Sequence, residues 1–188
     1  MARLFTGIML PDAAASETRT LRTDAAESDV RWMPAGNLHA TLVFIGDTPD
    51  SNLPQIRDLL ARIELHPFEV SLRGVGAYPR PNAARVLWAG LKPANPLIDL
   101  RDRLTESLAS MSEPTGAASR EYHPHVTIGR TRGRSRIDAR PWIERHAEFS
   151  GRPFVVKRFA LVHSRTKPDG AEYTVLTSFG GGHNARPS

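Results

Sequence analysis

Two tripeptides of the form His-x-Thr carry the residue types best suited to chemistry in this sequence. They are His39-Ala40-Thr41 and His125-Val126-Thr127, and each opens a run of apolar residues typical of a strand. Side chains two positions apart on a strand share a face, so each histidine should point the same way as its threonine. Imidazoles with a pKa near about 6.5 can take and give protons at neutral pH. Together with two hydroxyl donors, they predict in-line displacement at phosphorus without a metal.

The elements that must position these tripeptides form two similar halves. Each half is predicted to run strand, helix, strand, helix and strand, with one His-x-Thr strand in each. The predicted strands are 4–10, 38–45, 68–78, 85–91, 125–129, 154–164 and 173–179, and the predicted helical stretches are 11–28, 51–65, 95–111 and 139–149.

We interpret this pattern as an internal duplication. It predicts an α+β fold of two pseudo-symmetric lobes of mainly antiparallel sheet with outer helices, and an active site in the cleft between the lobes. Residues 1–179 would form this single bilobal domain, and residues 180–188 a flexible tail. Glycines at 74 and 76 predict a bulge in the strand 68–78.

Composition narrows the function classes. The chain has 188 residues, no cysteine and a net charge of +5, and only Lys92, Lys157 and Lys167 of its 25 basic residues are lysines. The absence of cysteine excludes disulfides, thiolate zinc sites and a cysteine nucleophile, and we expect a cytoplasmic protein. The first apolar run, 4–10, is far shorter than the ~20 residues of a spanning helix. An arginine-rich, basic chain fits nucleic acid without identifying it.

Several stretches beyond the two tripeptides carry a family resemblance. They are RLFTGI at 3–8 with Pro11, RW at 31–32, NLHATL at 37–42, FIGD at 44–47, RVLWAG at 85–90, PHVTIGR at 124–130, and Ser164, Gly170 and Tyr173 near the end. With these, the sequence resembles the 2H phosphoesterase superfamily over nearly its whole length. Within it, the chain is most similar to the bacterial and archaeal RNA 2′,3′-cyclic phosphodiesterases, historically named 2′-5′ RNA ligases.

The resemblance implies a function and roles. It implies hydrolysis of an RNA 2′,3′-cyclic phosphate to a 2′-phosphate, with His39 as the proton donor and His125 as the proton acceptor; the residues alone leave open which histidine does which. Thr41 and Thr127 would bind the non-bridging oxygens. We expect no metal and no cofactor. The expected partner is RNA with a cyclic phosphate end, or a small cyclic nucleotide, and we expect a monomer that does not bind membranes.

Arg130 matches a family position that is expected to contact the phosphate. It lies five residues after His125, so an unbroken strand would put it on the opposite face, and Gly129 offers a point at which the strand can reorient it. The alternative is a surface salt bridge. Arg130 also begins a basic stretch at 130–136, which we interpret as a flexible loop that either is merely solvated or contacts the RNA backbone.

Other candidate sites have less support. His123 and His125 could suggest a metal site, but Pro124 restricts their geometry and no carboxylate cluster is near in sequence. Phe44 and Trp88 could stack on a base, yet their apolar surroundings favour core packing. No Gly-x-x-x-x-Gly-Lys loop is present, so ATP-driven ligation has no visible nucleotide site. Two alternatives stay open: a 2H enzyme for another substrate, such as ADP-ribose cyclic phosphate or a cyclic nucleotide, and a catalytically silent RNA-binding protein.

Overall fold

A curled antiparallel sheet dominates the computed structural model, which describes residues 1–22, 29–111, 122–167 and 170–181. The strands in these residues are β1 Ala2–Met9, β2 Val30–Trp32, β3 His39–Thr48, β4 Phe68–Tyr78, β5 Val86–Lys92, β6 His125–Thr131, β7 Phe154–Val156, β8 Phe159–Lys167 and β9 Gly170–Phe179. The helices are α1 Asp12–Glu17, α2 Leu53–Ala61, α3 Asn95–Ser107 and α4 Arg140–Arg145, with 3-10 turns at Thr18–Arg22, Ala35–Asn37, Asp50–Asn52 and Pro81–Ala83.

The strand order divides the sheet into two lobes. It runs β7-β4-β5-β6-β3-β1-β8-β9, and β2 pairs with the far end of β6. The two His-x-Thr strands, β3 and β6, therefore lie side by side at the centre. One lobe adds β1, β8 and β9 to β3, and the other adds β5, β4 and β7 to β6. The predicted α+β fold of two antiparallel lobes is confirmed.

A local twofold relates the two central strands. In the pairing of β3 with β6, Ala40 lies opposite Val126, and these are the middle residues of the two tripeptides. Each central strand also pairs with an equivalent neighbour: Met9 of β1 lies opposite His39, and Gly90 of β5 lies opposite His125. Because equivalent residues pair with each other across the centre, the two lobes are related as the duplication predicted.

Leucine side chains fix the outer helices on the core side of the sheet. The predicted leucine stripe of α3 is fully buried, since Leu97, Leu100, Leu104 and Leu108 have no exposed surface. Pro96 occupies the first turn of α3, where its missing N–H is tolerated. The same core contains Ile56 and Leu60 of α2. The helices thus cover one face of the sheet and leave the other face for the cleft.

The structure corrects two predicted elements. The strand predicted over 154–164 is two strands, because β7 pairs with β4 at one edge and β8 pairs with β1 in the other lobe. The exposed pair Lys157 and Arg158 is where the chain crosses between them. The strand β2 was not predicted, since three residues are too few for a periodic pattern. The bulge predicted in β4 is confirmed, with Gly74 at φ 67° where the register shifts.

Some predictions fall on residues outside the described ranges. They include the end of the helical stretch 11–28 and residues 182–188 of the tail. The assignment of 1–179 to a single domain remains a prediction. Within the described residues, no helix is long and apolar enough to span a membrane.

Candidate active site

Strand alternation places both His-x-Thr motifs on the face away from the core. His39 and Thr41 are partly exposed, whereas Ala40 between them is fully buried. The second motif repeats the pattern, with Val126 fully buried between a partly exposed histidine and threonine. The predicted common face of each pair is therefore present in the structure.

The central pairing brings the two motifs together crosswise. Because Ala40 lies opposite Val126 in an antiparallel register, extending that register by one residue places His39 across from Thr127 and His125 across from Thr41. The charge of His125 also contributes to the lowered pKa of His39, as expected for neighbouring imidazoles. Two imidazoles and two hydroxyls thus share one small region of the cleft.

Backbone carbonyls hold both imidazoles in the same way. Nδ1 of His39 lies 2.7 Å from the carbonyl oxygen of Asn37, and Nδ1 of His125 lies 2.6 Å from that of His123. A carbonyl oxygen can only accept, so Nδ1 carries the hydrogen in each ring. The reactive nitrogen is then Nε2 in both cases. Each ring can take or give a proton at Nε2 without losing the hydrogen bond that orients it.

Aromatic rings enclose each motif histidine. His39 lies against Phe5 at 4.8 Å and Tyr173 at 4.7 Å between ring centroids. His125 lies against Tyr78 at 5.2 Å and Trp88 at 5.8 Å. These rings displace water from the imidazoles, which disfavours their charged forms.

The pKa of each histidine is lowered from its ordinary value. Burial is the largest cause for both, and the positive charge of Arg130 lowers both further. The carbonyl hydrogen bonds of Asn37 and His123 act in the opposite direction, because they favour the protonated ring. The site therefore holds its two imidazoles neutral to a lower pH than free histidine.

The two motif hydroxyls are available to a ligand. No hydrogen bond from the hydroxyl of Thr41 or Thr127 reaches another group in the part of the chain that the structure describes. The backbone around them is fixed, since the hydroxyl of Tyr122 donates a 2.8 Å hydrogen bond to the carbonyl oxygen of Thr41. Arg101 of α3 lies over the Tyr122 ring at 5.3 Å.

A β-bulge explains how Arg130 can lie on the same face as His125 although it is five residues further along the strand. Trp88 pairs with Thr127, but the preceding residue of β5, Leu87, pairs with Gly129, so β6 contains one extra residue at Ile128. The extra residue returns Arg130 to the face of the motif. Its charge acts on both histidines, and none of the ion pairs among the described residues involves it. The structure therefore brings Arg130 to the site and does not support the alternative of a surface salt bridge.

The first motif strand has a bulge at the equivalent place. Gly7 pairs with Thr41 and Thr6 with Val43, so β3 contains one extra residue after its threonine. The hydroxyl of Thr6 accepts a 3.2 Å hydrogen bond from the Val43 amide. This bulge turns Phe44 onto the motif face, where it lies 6.1 Å from Phe5 and is 55% exposed. The predicted core packing of Phe44 is wrong.

Trp88 and the basic loop also differ from expectation. Trp88 is half-buried and packs against His125 and Tyr78, so it is a wall of the site. The stretch 130–136 is a hydrogen-bonded turn, in which Thr131 donates to the Ser135 carbonyl at 2.7 Å and Arg85 donates to the Gly133 carbonyl at 2.9 Å. Its arginines are exposed. The loop is therefore more ordered than its composition suggests.

Sequence reasoning missed the aromatic walls Phe5, Tyr78 and Tyr173 as site residues. In the sequence, Phe5 and Tyr173 stand out only within the stretches that carry the resemblance, and Tyr78 only as the end of a predicted strand. They come from strands far apart in sequence, so no local pattern joins them to the motifs. Among the described residues, no group of three or more His, Cys, Asp or Glu side chains is arranged to hold a metal ion.

Comparisons with known proteins agree with this architecture. The model of the 2′-5′ RNA ligase superfamily matches residues 10–168. The chain is 33% identical to a Thermus thermophilus protein named RNA 2′,3′-cyclic phosphodiesterase, over 94% of this chain and 89% of the relative. The solved structure of TT0787 from Thermus thermophilus matches with a TM-score of 0.77 at 26% identity, covering 95% of this chain and 97% of the other. Escherichia coli LigT complexed with 3′-AMP matches with a TM-score of 0.73 at 26% identity, covering 95% and 97%.

Proposed function

This chain belongs to the 2′-5′ RNA ligase superfamily, and on that premise we propose that it hydrolyses 2′,3′-cyclic phosphodiester ends of RNA to 2′-phosphates. The observation that carries the proposal is the crosswise arrangement of two imidazoles, each oriented through Nδ1 with Nε2 left for proton transfer. The name of the Thermus thermophilus relative supports the same substrate class. The LigT complex with 3′-AMP supports a nucleotide as the kind of ligand.

The proposed reaction is one in-line displacement at phosphorus. Nε2 of His125 takes a proton from a water molecule as the water oxygen attacks phosphorus. The bond between phosphorus and the 3′ oxygen breaks, and Nε2 of His39 gives that oxygen a proton. The product carries a 2′-phosphate and a free 3′ hydroxyl. One proton is taken and one is given, so the two histidines exchange protonation states and are reset by solvent.

The remaining groups stabilise charge and position the substrate. The hydroxyls of Thr41 and Thr127 donate to the non-bridging oxygens, on which negative charge increases in the transition state. The guanidinium of Arg130 pairs with the same phosphate, for which its planar fork is suited. Phe44, exposed on the same face, offers a surface on which the terminal base can stack. No step in this mechanism uses a metal ion.

The test is hydrolysis of an oligonucleotide that ends in a 2′,3′-cyclic phosphate, with the product isomer identified by chromatography. We expect a 2′-phosphate as the product and unchanged turnover in excess EDTA. A 3′-phosphate product would contradict the assigned leaving group. Turnover that is lost in EDTA and restored by zinc or manganese would contradict the metal-free mechanism.

Parallel assays separate the alternatives. ADP-ribose 1″,2″-cyclic phosphate and a mononucleotide 2′,3′-cyclic phosphate are tested at equal concentration with the oligonucleotide. A kcat/KM that is highest for the ADP-ribose derivative would assign the chain to a different substrate of the same chemistry. Binding of RNA without turnover of any of the three would favour a catalytically silent RNA-binding protein.

A further inference from the structure

Arg31 lies directly opposite Arg130 in the sheet. The two are Cα partners in the antiparallel pairing of β2 with β6, and directly opposed residues project to the same face. Arg130 reaches the motif face through its bulge, so Arg31 is on that face too. Gly129 supports this alternation, because a Cβ there would approach Val30 and Trp32 on the other side.

Among the described residues, no carboxylate forms an ion pair with either member of the arginine pair, Arg31 with Arg130. Like charges directly opposed across two strands destabilise the pairing. Two guanidiniums that share a face without an acidic partner are suited to bind an anion, and phosphate matches their planar geometry.

The hairpin of β8 and β9 holds Arg31 in place. A Cβ on Gly170 would lie 2.7 Å from the guanidinium carbon and both terminal nitrogens of Arg31, so the guanidinium packs directly on the glycine backbone. Gly170 has φ +123°, a conformation that favours glycine. Close by, the side-chain amide of Asn37 donates to the Ala171 carbonyl at 3.2 Å. The β8–β9 hairpin therefore fixes the position of the Arg31 side chain.

Two residues of β9 indicate how far Arg31 lies from the proposed reaction centre. Gly170 contacts Arg31, and Tyr173 contacts His39. Three residues of strand span about 10 Å. This separation is between the two residues that Arg31 and His39 contact, and it is of the order of the spacing between neighbouring phosphates along an RNA chain, so a phosphate at Arg31 would be the neighbour of a phosphate at His39.

We propose that Arg31, beside Arg130, forms a second anion subsite, which binds the phosphodiester that precedes the terminal nucleotide of the RNA while Arg130 contacts the reacting phosphate. The proposal rests on the proposed function and extends it to substrate choice. A mononucleotide cyclic phosphate lacks that phosphodiester. The subsite would therefore favour RNA ends over single cyclic nucleotides, with Arg31 as a specificity-determining residue.

A substrate series tests the subsite on the unmodified enzyme. The substrates are a dinucleotide ending in a 2′,3′-cyclic phosphate, the same dinucleotide with a neutral methylphosphonate in the internal linkage, and the mononucleotide. We expect KM to rise about tenfold for the methylphosphonate, the size of one lost charge-assisted hydrogen bond. Equal KM for the charged and neutral dinucleotides would overturn the subsite, whereas failure to hydrolyse any substrate would contradict the proposed function instead.

Variants assign the effect to Arg31. Arg31→Gln should lower the ratio of kcat/KM for the dinucleotide to that for the mononucleotide by about tenfold, and remove the penalty for the methylphosphonate. Arg31→Lys should restore part of the ratio. Arg57→Gln removes one exposed arginine from α2 and is the control for net charge. An Arg31→Gln enzyme that loses activity equally on both substrates, or on neither, would make Arg31 a support of the hairpin and overturn the proposal.

Discussion

The two His-x-Thr strands have the same structure from the histidine to the bulge that follows the threonine. They differ in the side chain two residues after the extra residue of that bulge. In both, a carbonyl two residues before the histidine orients Nδ1, and one extra residue follows the threonine. The next side chain turned onto the site face is Phe44 in the first strand and Arg130 in the second. An exposed aromatic ring therefore stands where the other lobe has a cation.

This difference separates catalysis from recognition. Displacement at phosphorus needs one proton acceptor and one proton donor, and a duplicated strand supplies two equivalent imidazoles. A nucleotide is not symmetric, because it has an apolar base on one side and an anionic phosphate on the other. Phe44 and Arg130 match those two sides. The duplication thus explains the shared chemistry, and the divergence after the bulge explains how a nucleotide would be oriented.

The largest expected effect comes from removing either imidazole. His39→Ala and His125→Ala should each lower kcat by roughly 10²–10⁴-fold, the usual size of a general acid or base contribution. An aryl phosphodiester, whose leaving group needs no proton, should rescue His39→Ala much more than His125→Ala. Binding of a 2′-nucleotide product, measured by calorimetry, serves as the control for folding.

The same experiment tests which histidine is the proton donor and which is the proton acceptor. Rescue of His125→Ala in place of His39→Ala would exchange the proton donor and the proton acceptor. Near-normal turnover of the cyclic phosphate by either variant would remove that histidine from the mechanism altogether.

Arg130 should control the pH dependence shared by the two lobes. The free enzyme has both histidine pKa values lowered, so its kcat/KM profile should be centred below about pH 6.5. Arg130→Gln removes a positive charge that lowers both values. Both pKa values should then rise, and the whole profile should move to higher pH, with kcat/KM about tenfold lower at its maximum from the lost phosphate contact.

An exposed arginine of the adjoining turn is the control for Arg130. Arg134→Gln removes the same charge farther along the loop and should leave the profile in place. If Arg130→Gln shifted only the acidic or only the basic limb of the kcat/KM pH profile, Arg130 would act on one histidine only. That result would contradict its position between the lobes.

The threonines should show whether the two lobes stabilise the phosphate equally. Thr→Val keeps the branched shape and removes the hydroxyl donor, so Thr41→Val and Thr127→Val should each lower kcat about tenfold or more. KM should change less, because the hydrogen bonds strengthen in the transition state. The measurement is steady-state kinetics on the cyclic dinucleotide, and full activity of both variants would restrict the threonines to a role in the strands.

The sequence predicted the parts of the site that depend on local pattern. Alternation along β3 and β6 placed His39 and Thr41 on one face, and leucine spacing predicted the buried stripe of α3. The bulges after Thr41 and Thr127 could not be predicted in this way, because a single extra residue has no pattern of its own. They alone decide where Phe44 and Arg130 point. The aromatic walls were also beyond reach, since strand pairing over long sequence distances assembles them.

The smallest expected effect concerns Phe44, and it tests whether this ring binds the base of the nucleotide. Removing a stacking surface costs about 1–3 kcal/mol per base, and a ring that is as exposed as Phe44 should lie at the lower end, so Phe44→Ala should raise KM about fivefold for the cyclic dinucleotide with little change in kcat. Phe44→Tyr keeps the ring and should retain the wild-type KM. Val175→Ala, which shortens another exposed apolar side chain, on β9, is the control for general surface effects.

The substrate separates base stacking from other roles of Phe44. A cyclic phosphate on an abasic ribose has no base to stack, so wild type and Phe44→Ala should hydrolyse it with equal KM. If Phe44→Ala raised KM for the abasic substrate as well, the ring would act by packing on Phe5 and thereby positioning His39, to which Phe5 is adjacent. The lobes would then differ in how they support their imidazoles. The aromatic position in β3 and the cationic position in β6 would no longer mark the two sides of a bound nucleotide.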